Sequence, residues 1–422
     1  MYKEIQSRDY DRKPAWYRIL NRTWESLYAL GAEIDLSRDK LIRAARRSTG
    51  LKDFGKDFWE EPLDRMLDSI KGEAELNPIG KFITKKRLVN LLSIRLRSEW
   101  WFKKHPEILD QPLYPVYLII GLQRTGTTKL QRLLSSDPEM RSLRSWEAIN
   151  PAPLNNQVTE SSRRIRQAEI SEKALKMLSP NFFGIHPVEH LEPEEDILLL
   201  DVSFMSTTAE ATMHVPSYAS WLEKTDQSHA YAYAVKLLKF LQYQRPASKW
   251  VLKSPHHLEF LELTDKHLGE VHYLWTHRDI YECVPSFISM MIHSRAIFSD
   301  TVEPESVRDH WLRKDGYILG KAIQYRKSTK KVNSFTDIYY KKFMDDPVTT
   351  LMEIYRSIGP VDPDLEAVFR KLAVIDHRKR YGRHVYSMET FGITPEMIDA
   401  HTGQYQEFLR QLQNRDLEGN HL

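Results

Sequence analysis

The sequence predicts a three-layer α/β fold, a parallel-sheet core flanked by helices, with a helical region on its N-terminal side. Three observations carry this. Short apolar runs at Val116–Ile120, Trp250–Leu252, Val271–Trp275 and Ser334–Tyr340 alternate with stretches of helical periodicity, the pattern of strands joined by crossover helices. The first of these runs leads straight into the turn Gly121-Leu-Gln-Arg-Thr-Gly126 and a helix start at Thr127-Thr-Lys-Leu-Gln-Arg-Leu-Leu134. From about Trp16 to Glu107 strand signals are scarce, and leucine, tryptophan and basic residues recur at helical spacing, as in Lys86–Trp100.

In chain order, residues 1–110 are read as a helical region packed on or capping the core, and 111–422 as the α/β domain. With 422 residues, 41% hydrophobic and 11% aromatic, the chain can bury one core of roughly 250 residues and an additional lobe. Near the C-terminal side, Asp346-Pro347 predicts a helix start with an aspartate N-cap and proline in the first turn, and Gly359-Pro360 predicts its stop.

Composition excludes several function classes. Lys and Arg number 61 against 58 Asp and Glu, a net charge of +3, so attraction for phosphates must come from local arrangement, and nucleic acid is not an expected partner. The single cysteine, Cys283, excludes an internal disulfide framework and a cysteine-built zinc site. The polar segment Met1–Pro14 lacks the apolar centre of a secretion signal, and no run reaches the roughly 20 apolar residues of a membrane span. A cytoplasmic location is expected.

The strand, glycine turn and helix start at 116–134 form the arrangement that cradles a phosphate on backbone N–H groups at a helix N-terminus, a P-loop-like core. The spacing Gly121-x-x-x-x-Gly126-Thr127-Thr128 copies that of ATP-binding loops, but Thr127 stands where those loops carry the lysine that reaches the β- and γ-phosphates. In an open α/β sheet, ligands bind beyond the carboxyl ends of the strands. Arg124, Lys253 with His256, and Arg278 each follow a different predicted strand, so parallel neighbours would bring them to one edge.

Two motifs, in order, carry a resemblance. The first is Gln123-Arg124-Thr125-Gly126-Thr127-Thr128; the second is Arg278, directly after the strand Val271–His277, with Ser286 eight positions on. Together they resemble the sulfotransferase family, whose 5′-phosphosulfate loop has the form P-[KR]-[ST]-G-T-T and whose 3′-phosphate motif is an arginine after a strand with a serine eight residues later. Glutamine replaces the usual proline, and arginine fills the basic position as in the bacterial-type branch. The resemblance extends through Gly50–Gly55, Arg144-Ser-Trp146-Glu147, Val251-Leu-Lys253-Ser-Pro-His256-His257 and Tyr386–Gly392.

That resemblance implies a transfer of the sulfuryl group of 3′-phosphoadenosine 5′-phosphosulfate to a hydroxyl of a small acceptor, with no metal. It assigns Arg124, Thr125, Gly126, Thr127 and Thr128 to the 5′-phosphosulfate, and Arg278 and Ser286 to the 3′-phosphate. Pro285 suggests a kink or restart of the helix just before Ser286. Arg383, within the basic stretch His377–His384, is assigned loosely to a loop that closes over the nucleotide. The Lys-[ST]-x-His region points to His256 as base, with Lys253 as a cation near the sulfonate. A histidine titrates near neutrality and suits proton transfer. Glu195, in the acidic stretch before Ile197–Leu200, is the second choice.

Trp146, Phe182, Phe183, Phe204, Met205, Met213, Tyr218 and Trp221 supply an apolar inventory for an acceptor pocket or for the core, and a hydrophobic acceptor follows if they line the site. Two alternatives stay open. One is an ATP-dependent phosphotransferase, with Asp279 as a metal-holding carboxylate; the other is a nucleotide-binding protein without catalysis. A homodimer is a further possibility for the helical region.

Overall fold

The computed structural model describes residues 3–31, 33–331, 334–358, 363–375 and 380–417. Seven strands are assigned among them: β1 (Glu4–Gln6), β2 (Val116–Ile120), β3 (Met140–Ser142), β4 (Lys249–Lys253), β5 (Val271–His277), β6 (Phe335–Tyr339) and β7 (Arg383–Val385). Five make one sheet in the order β3-β4-β2-β5-β6, every pair parallel. The other two, β1 and β7, pair with each other, also in parallel.

The four predicted strands are present, each within two residues of its expected ends. The sequence reading lacked β3, a three-residue edge strand whose central residue is a charged arginine. Arg141 is nonetheless buried, because its guanidinium lies 2.8 Å from the buried Glu147 and also donates to the Arg245 carbonyl at 2.7 Å. Paired and hydrogen-bonded, the charge can leave water at a tolerable cost.

Strand β2 is buried at all five positions, and alternation splits its side chains between two cores. Val116, Leu118 and Ile120 join a cluster with Trp250, Leu252, Tyr273 and Trp275. That cluster runs on into Leu41, Leu63, Leu92 and Trp101 of the N-terminal helices. Tyr117 and Ile119 face the opposite way, packing with Val251, Leu274 and Ile338 against Leu130, Leu134, Phe343, Leu351 and Ile354. Helices therefore cover both faces, which produces the three layers and explains why these strands read as unbroken apolar runs.

The N-terminal region is helical as expected, with helices at Ala15–Ala29, Arg38–Thr49, Glu60–Glu73, Pro78–Lys104 and Glu107–Asp110. Within the longest, Arg95 is fully buried, donating to the Phe54 carbonyl at 2.7 Å and lying 4.1 Å over the Tyr233 ring. Asp346 caps the helix Pro347–Ile358 by accepting the Thr349 N–H at 3.0 Å, as its sequence predicts; the expected stop at Gly359-Pro360 lies outside the described residues. The expectation of a restart before Ser286 is corrected: one helix, Ile280–Phe298, runs through Pro285 without a break. Among the described residues, no helix is long and apolar enough to cross a membrane.

Candidate active site

All five strands of the main sheet point the same way, so the loops after β2, β4 and β5 leave from one edge. The chain passes from β2 outward to β3, returns through β4, and then crosses to β5 on the other side of β2. The crevice at this reversal is where open α/β sheets bind ligands, and the glycine turn after β2 opens into it.

The turn is fixed by its backbone. Gly121 has φ 138°, and a Cβ there would lie 2.2 Å from the Thr276 hydroxyl oxygen on β5, so only glycine fits. Arg124 adopts a left-handed φ of 69° and Gly126 one of 91°. Gly126 is the residue before the helix Thr127–Leu134. The Thr125 hydroxyl is 2.6 Å from both the Leu122 carbonyl and the Thr276 hydroxyl; its side chain shapes the loop. Thr127 is buried and Thr128 exposed at the first two helical positions, where free N–H groups and the helix dipole favour an anion.

The two sequence motifs meet through their arginines. The Arg124 Nε donates to the Ser286 hydroxyl at 3.1 Å, and the Arg278 guanidinium donates to the Arg124 carbonyl at 2.7 Å. Arg278 also pairs with Glu282 at 2.6 Å and stacks 4.2 Å from the Tyr340 ring. Ser286 is buried, one and a half turns into its helix. Asp279, weighed above as a metal carboxylate, accepts the Tyr281 N–H at 2.9 Å and caps this helix.

At the end of β4, Lys253 is almost fully buried and its ammonium lies 2.6 Å from Glu195. Glu195 is thus a partner of the site lysine. Asp196 beside it accepts the Lys253 N–H at 3.0 Å and lies 2.7 Å from His257, whose other ring nitrogen is 2.8 Å from the Tyr231 hydroxyl. Burial pushes Asp196 up, but His257 and these hydrogen bonds prevail and hold its carboxyl below the ordinary value.

His256 follows in the 3-10 turn Pro255–Glu259, which Ser254 caps by accepting the His256 N–H at 3.2 Å. The ring lies 4.9 Å from that of Phe260, and Nδ1 lies 3.5 Å from the Thr207 hydroxyl. Its Nε2 is buried and has no hydrogen-bond partner among the described residues. Burial, then the neighbouring His257 and Lys314, push its pKa well below the ordinary value, so the ring stays neutral.

Arg383 stands apart from this group: it is exposed on β7, opposite Glu4. Its neighbour His384 turns inward, 2.9 Å from the Ser289 hydroxyl, and burial with the Arg124 charge lowers it to about 3. His377 lies outside the described residues. Of the apolar inventory, Phe183, Phe204, Met205, Met213 and Tyr218 are core, whereas Trp146, Phe182 and Trp221 are half-buried.

Sequence reasoning missed His186. It directly follows Ile185, whose carbonyl accepts from Arg124 at 3.3 Å. Burial lowers its pKa to about 4; Glu195 opposes that shift, and Lys253, Arg124 and Arg132 reinforce it. A lone histidine after an apolar helix carries no motif, so only the fold reveals its place among these charges.

Comparison with known proteins fits this geometry. A sulfotransferase family model matches residues 115–364, a span that holds all five strands of the main sheet. The chain is similar to the sulfotransferase STF1 of Mycobacterium tuberculosis H37Rv, with 30% identity, a TM-score of 0.75, and coverage of 86% of this chain and 98% of that one. The fold is also shared with the sulfotransferase STF9 of Mycobacterium avium, at 23% identity, a TM-score of 0.77, and coverage of 89% and 97%. No curated protein sequence gives a significant match. With more than half its length matched by the family model, and 30% identity to a solved member over 86% of the chain, this chain belongs to the sulfotransferase family.

Proposed function

We propose that the protein transfers the sulfuryl group of 3′-phosphoadenosine 5′-phosphosulfate to a hydroxyl of a small, hydrophobic acceptor by in-line displacement. One observation supports this most directly: Arg278 holds the Arg124 carbonyl while Arg124 holds Ser286, so a 5′-anion site and a 3′-anion site are built as one unit. The residues fit such a donor. A turn closed to any Cβ at Gly121 leads to a helix N-terminus for the 5′-phosphosulfate, and a guanidinium and a buried hydroxyl stand nearby for the 3′-phosphate.

In this reading the acceptor oxygen forms a bond to sulfur as the bond from sulfur to the 5′-phosphate oxygen breaks, and the acceptor proton passes to a base. Arg124 and Lys253 offset charge on the sulfonate and on the departing phosphate oxygen. His256 takes the proton: its ring is neutral and its Nε2 is unpartnered among the described residues. Glu195 is the alternative base, but its carboxylate is engaged by Lys253. The hydrophobic acceptor in this reading rests on the apolar and aromatic inventory between the glycine turn and Lys253. A cytoplasmic setting belongs to the same reading, resting on the single cysteine.

Calorimetric titration with 3′-phosphoadenosine 5′-phosphate, set against ADP and against ATP with Mg²⁺, tests the donor. Preference for the 3′-phosphorylated nucleotide without metal is expected; preference for ATP with Mg²⁺ would make phosphoryl transfer the better reading. For the base, His256→Ala is expected to lower turnover by about 10²-fold or more while sparing affinity for that nucleotide. A near-normal rate would move the role to Glu195.

A further inference from the structure

Lys314 lies in the helix Pro304–Ser328, outside every motif described above, yet its side chain is only 2% exposed. A buried ammonium is costly unless paired, and its partners come from elements around the His256 turn. Its Nζ is 2.9 Å from Glu259, the last residue of that turn, and the Glu259 side chain is equally buried. It is 3.0 Å from Glu223 on the helix Pro216–Lys224. Glu210, fully buried on the helix Thr208–Thr212 and 3.0 Å from His310, feels the same charge.

The turn is therefore held on two sides. Asp196 and Tyr231 fix His257, and Lys314 fixes Glu259; the ring of His256, earlier on the same turn, has only the 3.5 Å approach of Thr207. The ring's orientation depends on the turn rather than on bonds of its own. Its charged and titratable neighbours are His257 and Glu259 on the same turn and Lys314 on the packed helix; Thr207 and the Phe260 ring are uncharged.

We propose that Lys314 is a positioning residue, a buried strut that fixes the 255–259 turn and stands as a fixed positive charge behind the His256 imidazole. This rests on the assignment of His256 as base, and it adds a requirement. The turn that carries the proton acceptor is held in place by a lysine that does not belong to the nucleotide cradle, and burial is the main reason the ring is neutral.

The test uses full-length protein carrying 13Cε1-histidine, with the His256 signal assigned by its loss in His256→Gln. In the unsubstituted protein, one sharp His256 line that does not titrate over the folded pH range is expected. Lys314→Met removes the charge at similar length. Its His256 line is expected to broaden and to begin to titrate within the folded pH range, with Lys314→Arg restoring the original behaviour. If Lys314→Met does not fold because two glutamates lose their partner, Lys314→Met/Glu259→Gln serves in its place, with the same expectation.

An unshifted, sharp His256 line in a folded Lys314 variant would overturn the proposal. Affinity for 3′-phosphoadenosine 5′-phosphate, measured on the same samples, should stay within about two-fold, since the cradle is not touched; a matching loss of affinity would mark Lys314 as generally structural and overturn the positioning role. A near-normal rate in His256→Ala would overturn the base assignment and this proposal together. An inactive His256→Ala beside an unmoved Lys314→Met titration would overturn this proposal alone.

Discussion

At the scale of single residues, the interlock of Arg124, Arg278 and Ser286 makes separable but coupled predictions. Arg124→Ala is expected to impair sulfuryl transfer more than nucleotide affinity, because in the proposed reading its guanidinium, bonded to Ser286, also offsets charge on the sulfonate. Arg278→Ala is expected chiefly to weaken binding of 3′-phosphoadenosine 5′-phosphate. Their effects should not add: Arg278 donates to the Arg124 carbonyl, and residues in one hydrogen-bond network couple by about 0.5–3 kcal/mol. A double-mutant cycle on nucleotide affinity checks this; strict additivity, or identical kinetic profiles for the two single variants, would refute the division of roles. The sequence made these three residues legible because each sits at a fixed offset from a strand. It could not reveal Lys314 or His186, whose partners are brought to them only by packing.

At the scale of elements, the edge of the sheet is secured by a charged knot. Asp337 on β6 lies 2.7 Å from His277 on β5 and receives both ends of the Arg326 guanidinium at 2.6 Å from the helix Pro304–Ser328. Burial pushes Asp337 up, but Arg326 and His277 outweigh it and hold the carboxyl far below the usual carboxylate range. Asp337→Ala would strand a largely buried guanidinium and is expected to cost about 3 kcal/mol, measured by urea denaturation; a loss under about 1 kcal/mol would mean that the pair is solvated. The strands themselves were legible because burial on both faces makes them continuous apolar runs. β3 was not, since its short run Met140-Arg141-Ser142 is admitted to the sheet by Glu147 rather than by its own hydrophobicity.

At the scale of the whole molecule, buried histidines with depressed pKa set the acid limit, three of them strongly shifted. His186 is lowered to about 4, His384 to about 3, and His256 well below its ordinary value, burial leading in each case. Below an unfolded value of about 6.5 the unfolded chain binds protons that the native state refuses. Stability is therefore complete above that pH and falls as pH drops from about 6.5 towards 4. The stability contributed by paired carboxylates, such as Asp337, is present above about pH 4 and is lost only below it. The melting temperature should decline between pH 7 and 5, and His384→Gln should flatten the decline; a flat profile over that interval would show that these rings titrate freely. The three-layer architecture was legible from the alternation of runs, but the continuity of one hydrophobic cluster from the sheet into the N-terminal helices was not, because periodicity shows which face is apolar and not what covers it.

The pairing of β1 with β7 brings Glu4–Gln6 against Arg383–Val385, two segments separated by nearly the whole chain. This small sheet packs beside the helix Pro180–Ile185: a Cβ on Gly184 would lie 2.3 Å from the Ile5 side chain and 3.0 Å from the Tyr381 carbonyl. The last residue of that helix is the one whose carbonyl holds Arg124. During synthesis, then, β1 has no partner until almost 380 further residues have been made. The support beneath Arg124 waits for β7, which follows β6 in the chain, so a nascent chain can complete its main sheet before that support is in place.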